Sequence, residues 1–250
     1  MITVLAVGHN TLDWLRLLVQ SVRAFRGHVP TDIVIVDNAS SDGSREWLEK
    51  QDDVFSYPLP ENIGHGRGLD FGLRQVMTRF ALILDIDAHL QRAGWDADFI
   101  KLYQLGANQG RRLIAAKGGE AGDPIRKPIH PCMMFFEARF FVQNQLLFWP
   151  RDGYDVGRKI YYDLVEAGHE VHRVDAGYES HGAKFYPGVF GTEYYIFGKP
   201  TVFHAWYGAR MADLPLDGSV DGYKKADFER DKELVFSQPL VKEIMAYGRK

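Results

Sequence analysis

Along the first ninety residues, short apolar runs alternate with stretches whose apolar positions recur every three or four residues, the pattern of a parallel sheet covered by helices. Thr3 to Val7 predicts a buried strand. Asn10 or Thr11 then caps a helix whose apolar face is Leu12, Leu15, Leu18, Val19, Val22 and Phe25. Asp32 to Val36 predicts a second strand that ends at a polar cluster, Asp37 to Gly43, with a helix from about Ser44 burying Trp47 and Leu48. A strand at Val54 to Tyr57 leads through Pro58 and Pro60 to Asn62-Ile63-Gly64-His65-Gly66-Arg67-Gly68. A helix through Leu69, Leu73 and Val76 follows, and Phe80 to Leu84 is the strand that delivers Asp85-Ile86-Asp87. Polar residues therefore gather after strand ends, where ligands of open α/β sheets bind.

Beyond residue 91 the pattern loosens. It predicts a helix at Asp96 to Leu105, strands at Leu113 to Lys117 and Cys132 to Phe136 with a Gly/Pro-rich loop at Gly118 to Pro131, and a helix after the second strand. A helix from about Tyr154 to Ala167, closed by Gly168, precedes a strand at Glu170 to Val174, and Thr201 to Tyr207 forms one more. The tail from Lys224 is helical and charged, with a break at Pro239. With no repeat and no clear linker, the chain is expected to be one α/β domain: residues 1–90 as a ligand-binding half, 91–222 as a second half and 223–250 as a helical tail.

Composition narrows the class. The 250 residues include 46% hydrophobic ones, enough for a large core, and a formal charge of -3 argues against broad capture of nucleic acid by phosphate attraction. The lone cysteine, Cys132, excludes an internal disulfide framework and a multi-thiolate zinc site, and suits a reducing, cytoplasmic setting. The most apolar stretch, Cys132 to Trp149, carries Glu137, Arg139, Gln143, Asn144 and Gln145, so no integral membrane segment is expected. The N-terminus has neither the basic flank nor the length of a signal peptide, and the chain reads as soluble and mature from residue 1.

The carboxylates of Asp85 and Asp87, two apart on an extended chain, point the same way and can meet one hard divalent cation. With 21 Asp in the chain, about two such D-x-D triplets arise by chance. The second, Asp96-Ala97-Asp98, falls in a helix and is expected to be solvated charge. A carboxylate site for Mg2+ or Mn2+ commonly serves a phosphorylated ligand. Asn62 to Gly68 offers a backbone that a ligand can approach closely, a helix start and the cation of Arg67; a tight turn with close helix–sheet packing accounts for the same glycines.

Val7-Gly8-His9-Asn10, Val36 to Ser44, Glu61 to Gly68 and Leu84-Asp85-Ile86-Asp87 together resemble, in order and spacing, the N-terminal half of family-two glycosyltransferases of the GT-A fold. The resemblance implies a mostly parallel central sheet flanked by helices. It implies an inverting, metal-assisted transfer of a sugar from a nucleotide-diphospho-sugar donor, expected to be UDP-linked, with Mn2+ or Mg2+ as cofactor. Asp37 would bond the base, with Gly8, His9, Asn10, Asn38, Asn62, Gly66 and Arg67 lining its pocket. Asp85 and Ile86 would face the ribose or donor sugar, and Asp87 would be the main metal ligand, joined by Asp85. The family often has Asn where this chain has Asp70, which receives no role.

The second half resembles the family more loosely. Asp155 sits where the family places its acceptor-side carboxylate and would be the general base, with Asp152 as the alternative and an N-cap as the structural reading of Asp155. Thr201 to Arg210 resembles a late histidine segment: His204 would add a metal ligand and Arg210 would lie near the phosphates, or His204 is simply a satisfied core residue. His181 is a weaker candidate, and the other histidines read as surface or turn residues. Trp149, Tyr154, Trp206 and Tyr207 are stacking faces for an acceptor or core packing. Arg111, Arg112, Lys117, Arg126 and Lys127 read as a solvated basic segment. A sugar nucleotidyltransferase, or a non-catalytic nucleotide-sugar-binding module on the same fold, remains as an alternative, and the acceptor is unidentified.

Overall fold

The computed structural model of the protein describes residues 1–118, 129–174, 176–179, 191–206, 211, 213–220 and 222–247. Strands β1 (Ile2–Gly8), β2 (Thr31–Asp37), β3 (Val54–Pro58) and β4 (Phe80–Leu84) join β6 (Arg111–Lys117), β7 (Ile129–Glu137) and β8 (Glu170–Val174) in a seven-stranded sheet of order β3-β2-β1-β4-β7-β6-β8. All its ladders are parallel except the two made by β7, which runs antiparallel to β4 and β6. The first strands are unbroken apolar runs because both faces are covered. Ile2, Val4 and Ala6 pack into one core layer, and Leu5 and Val7 into the other.

Helix α1 (Leu12–Ala24) lies on the first layer through Leu15, Leu18, Val19 and Val22. Its start is capped not by Asn10 or Thr11 but by Asp42. The Asp42 carboxylate accepts the Leu12 N–H at 2.8 Å and the Ser44 N–H at 3.0 Å, so it also holds the start of α2 (Ser44–Leu48). Helix α3 (His65–Leu73) lies on the opposite layer, and α4 (Trp95–Leu105) returns to the first. Asp96 is fully buried rather than solvated: it accepts the Val29 N–H at 2.9 Å. Asp98 pairs with Arg92 at 2.7 Å.

Helix α5 (Ala138–Gln143) follows β7, and α6 (Arg158–Glu166) starts four residues later than the sequence pattern suggests. Gly157, at φ 67°, adopts a left-handed turn that a helix starting at Tyr154 would not allow. At its far end α6 closes as expected around Gly168, with the His169 N–H bonded to Leu164 O at 2.9 Å. Arg111 and Arg112 lie on β6 rather than in a solvated loop; Arg111 pairs with Glu170 at 3.2 Å, and Arg112 stacks over Phe140. Arg126 and Lys127 lie outside the described residues.

A second sheet, order β5-β11-β10-β9, is built from β5 (Ala88–Leu90), β9 (Ala176–Glu179), β10 (Thr192–Ile196) and β11 (Lys199–His204). A two-stranded ladder, β12 (Ser219–Val220) with β13 (Tyr223–Lys224), precedes α7 (Lys225–Ser237) and α8 (Pro239–Tyr247). These two helices break before Pro239 and cover the outer side of α1, where Trp14 packs on Phe228 and Phe236. Among the described residues, no helix is long and apolar enough to cross a membrane.

Candidate functional site

Two strands that are far apart in sequence make the centre of the site. Directly after β4, Asp85 and Asp87 turn into β5, and β5 pairs antiparallel with β11 so that Ala88 lies opposite His204. Ala205 N–H bonds to Asp87 O at 3.1 Å, and Asp85 N–H bonds to Cys132 O on β7 at 3.0 Å. Three chain segments thus fix the two carboxylates. His204 Nε2 sits 3.2 Å from Asp87 Oδ1 and 3.4 Å from Asp85 Oδ2, and His65 Nε2, at the start of α3, sits 3.2 Å from Asp85 Oδ1.

Electrostatics follow from that packing. Burial opposes the charge on Asp85, but hydrogen bonds and charge from His204 and His65 outweigh it and hold the carboxyl well below its ordinary range. Burial likewise opposes a charged His204, yet Asp87, Cys132 and Asp85 carry it well above a free imidazole. His65 is raised in the same way, with Asp85, Asp87 and Asp155 outweighing its burial. One oxygen from each of Asp85 and Asp87 and one nitrogen of His204 lie within 4.8 Å of one another. Two carboxylates and an imidazole are a donor set that could hold one divalent cation.

On the opposite side of this centre, the ends of β1 and β2 build a polar floor. Asp37 is buried and holds Arg45 Nε at 2.9 Å and the Ser40 N–H at 3.1 Å. The Asn38 amide donates to Asn62 Oδ1 at 2.8 Å and its oxygen accepts the Ile63 N–H at 3.0 Å, which ties the loop before α3 to β2. Asn10 Oδ1 accepts the Ser41 N–H at 2.8 Å, while Gly8 backs onto the buried Ile86. Asp213 reaches over from the C-terminal region, with its carboxylate 3.1 Å from His9 Nε2 and 2.7 Å from Asn10 Nδ2.

The third wall is the loop from Phe148 to Gly157. Asp70 accepts the N–H groups of Phe148 at 2.7 Å and Trp149 at 3.2 Å, and the Gly157 N–H returns to Phe148 O at 2.8 Å. A Cβ on Gly66 would lie 2.7 Å from Phe148 O and from Trp149 Cα, so α3 and this loop are in backbone contact. Arg67 stacks 5.2 Å over the Trp149 ring. Asp155 lies on the loop before α6, about half-exposed, and accepts its neighbour Val156 N–H at 2.8 Å; the helix N-cap is Gly157. Asp152 is more exposed and stands 4.0 Å from Arg151.

The glycosyl transferase family 2 sequence family matches residues 3–149, the stretch that carries β1 to β7 and the Asp85-Ile86-Asp87 turn. The chain belongs to that family. No curated protein matches it significantly. Among solved structures, it resembles the mannosyltransferase PcManGT from Pyrobaculum calidifontis, solved with GDP-Man and Mn2+, at 18% identity over 98% of this chain and 72% of that one, with a TM-score of 0.56. It also resembles S. aureus TarS 1-349, at 12% identity over 98% and 69%, with a TM-score of 0.52. It spans about half the length of the TarS chains solved with UDP and UDP-GlcNAc, covering 49% and 48% of them at 18% and 16% identity, over 59% of its own length and with TM-scores of 0.46. The fold is the GT-A fold.

Within this family 2 chain, the expected residues Gly8, Asn10, Asp37, Asn38 and Asn62 meet at neighbouring strand ends, and Asp85, Asp87 and His204 meet at another. Arg210, Tyr207 and His181 lie outside the described residues. His65, read as a turn residue, contacts Asp85, and Asp70, given no role, clamps the Phe148–Trp149 backbone; both lie on α3, and both contacts reach residues distant in sequence. His130 and His89 are not surface residues either. His130 sits beside Trp206 at 4.6 Å between ring centres, and His89 is fully buried, with its pKa pushed down to about 3 by desolvation. Trp206 packs on His204 and donates to Thr192 Oγ1 at 2.7 Å. Tyr154 stacks on Tyr162.

Proposed function

We propose that the protein is an inverting glycosyltransferase that moves a sugar from a nucleoside-diphosphate sugar to an acceptor hydroxyl. The observation that carries this reading is the meeting of Asp85, Asp87 and His204 at the carboxyl ends of the strands, beside the polar floor of Asp37 and Asn38. Asp37 and the Gly8–Asn10 turn receive the base. Asn62, Gly66 and Arg67 border the same pocket, the resemblance assigns Arg210 to the phosphates, and Asp85 faces the ribose or donor sugar with the buried Ile86 behind it. A Mn2+ held by Asp87, Asp85 and His204 would neutralise the charge that develops on the departing diphosphate.

Asp155, on the loop that Asp70 anchors to α3, takes the proton from the acceptor hydroxyl as that oxygen attacks the anomeric carbon. The new bond forms on the face opposite the leaving diphosphate, so one displacement inverts the centre. The expected donor is UDP-linked, and the Mn2+ and GDP-Man complex of PcManGT is reason to test guanosine donors beside it. The test is a thermal-shift panel of UDP- and GDP-sugars with and without Mn2+. Stabilisation by one diphosphate sugar that needs Mn2+ supports the reading and names the donor, whereas no response from any sugar nucleotide overturns it.

A further inference from the structure

His204 has two sides. Its Nε2 faces the Asp85 and Asp87 carboxylates, while its buried Nδ1 makes no hydrogen bond of ordinary geometry. His130 and Cys132 on β7 lie close by: one ligand atom from each of His130, Cys132 and His204 lies within 4.8 Å of the others. His130 and Cys132 are two apart on β7, a spacing that turns both side chains to one face, beside a register shift in the β6–β7 ladder where Ala115 pairs with Met134 but Ala116 with His130. Cys132 is fully buried, His204 nearly so and His130 partly, and the Trp206 ring packs 4.6 Å from both imidazoles.

We propose that His130, Cys132 and His204 form a second metal site, which takes a thiolate-preferring ion such as Zn2+ and competes with the Asp85–Asp87 pair for His204. The ligand chemistry separates the two sites. Carboxylate-rich sets select hard cations, whereas a thiolate with two imidazoles selects Zn2+ or its analogues, with a fourth position open to water. On binding, the Cys132 S–H proton leaves to solvent and the sulfur becomes a ligand. A neutral imidazole has one nitrogen lone pair, so His204 serves one cation at a time. An ion seated on Cys132 therefore takes the His204 nitrogen away from the Asp85–Asp87 pair. The competition rests on the proposed donor-metal role of that pair; the site itself rests only on the geometry around Cys132.

The test uses Co2+ as a coloured stand-in for Zn2+, titrated into the whole protein without nucleotide. Cys132 is the only cysteine in the chain, so any thiolate-to-cobalt charge-transfer band reports that residue. A band is expected in the wild type, lost in Cys132→Ser, removed by added Zn2+, and requiring at least about tenfold more Co2+ in His130→Gln and His204→Gln. It should persist in Asp87→Asn. No band in the wild type, a band untouched by both histidine changes, or a band lost in Asp87→Asn overturns the proposal. His130→Gln alters a half-buried residue and keeps the test decisive if Cys132→Ser does not fold. None of these readings needs sugar transfer, so failure of the glycosyltransferase reading would leave the result interpretable.

Discussion

Gly66 offers the sharpest check on how the site is braced. It lies in the first turn of α3, and in an isolated helix replacing it with Ala would stabilise the fold by about 1 kcal/mol, because alanine restricts the unfolded chain and favours helix. Here the added Cβ would lie 2.7 Å from Phe148 O and Trp149 Cα, where ordinary contact begins at 3.4 Å, and both neighbours are backbone. Relief requires α3 or the Phe148–Trp149 loop to move, while Asp70 holds that loop by two N–H groups. Overpacking costs about 1–3 kcal/mol, and with backbone as both neighbours the upper part of that range, about 2–3 kcal/mol, applies and reverses the helical gain. Urea unfolding of Gly66→Ala should show a net loss of about 1–2 kcal/mol, with melting lowered by roughly 2–4 °C per kcal/mol. A variant as stable as the parent, or more stable, would refute the backbone contact between α3 and this loop.

Three further outcomes follow from the same structure. Asp155→Asn should cut turnover by about 10²–10⁴-fold while donor affinity stays within about twofold, as steady-state kinetics and calorimetry would read; unchanged turnover contradicts the base assignment. Asp96→Ala leaves the Val29 N–H without its carboxylate and should cost about 1–3 kcal/mol in chemical denaturation, and a neutral change would show that the bond carries no weight. His89 is held neutral in the fold, with a pKa of about 3 against 6.5 when free. Its contribution is full above 6.5 and is lost as pH falls toward 3, by up to about 1.4 kcal/mol per pH unit, because the unfolded chain takes up the proton first. The stability profile of His89→Gln should be flatter across that window, and an identical profile would remove His89 as a source of acid sensitivity.

Strands β1, β2 and β4 are legible because their apolar runs are buried on both faces, and the site residues at their ends come with them, whereas the edge strand β3, with Val54 buried and Phe55 exposed, is marked by the prolines that follow it. Position at a strand end also separated Asp85 and Asp87 from the Asp96–Asp98 pair, although the burial of Asp96 was invisible: its partner, the Val29 N–H, belongs to a loop far away in sequence. Strand β5 has only three residues and no alternation to betray it, yet its pairing with β11 is what delivers His204 to the carboxylates. The helix boundary at Arg158 was missed because the left-handed Gly157 interrupts an otherwise helical pattern. His65, Asp70 and Asp213 act through contacts that span long stretches of chain, and no local spacing encodes such contacts.

The central claim is that Asp85, Asp87 and His204 hold a divalent cation for a diphosphate donor. Calorimetric titration of UDP- and GDP-sugars into the protein, with Mn2+ and with chelator, tests it most directly when wild type and Asp87→Ala are measured side by side. Donor binding is expected to depend on Mn2+ in the wild type and to be at least about tenfold weaker in Asp87→Ala. Donor binding of equal strength with chelator, or unchanged by Asp87→Ala, would contradict it.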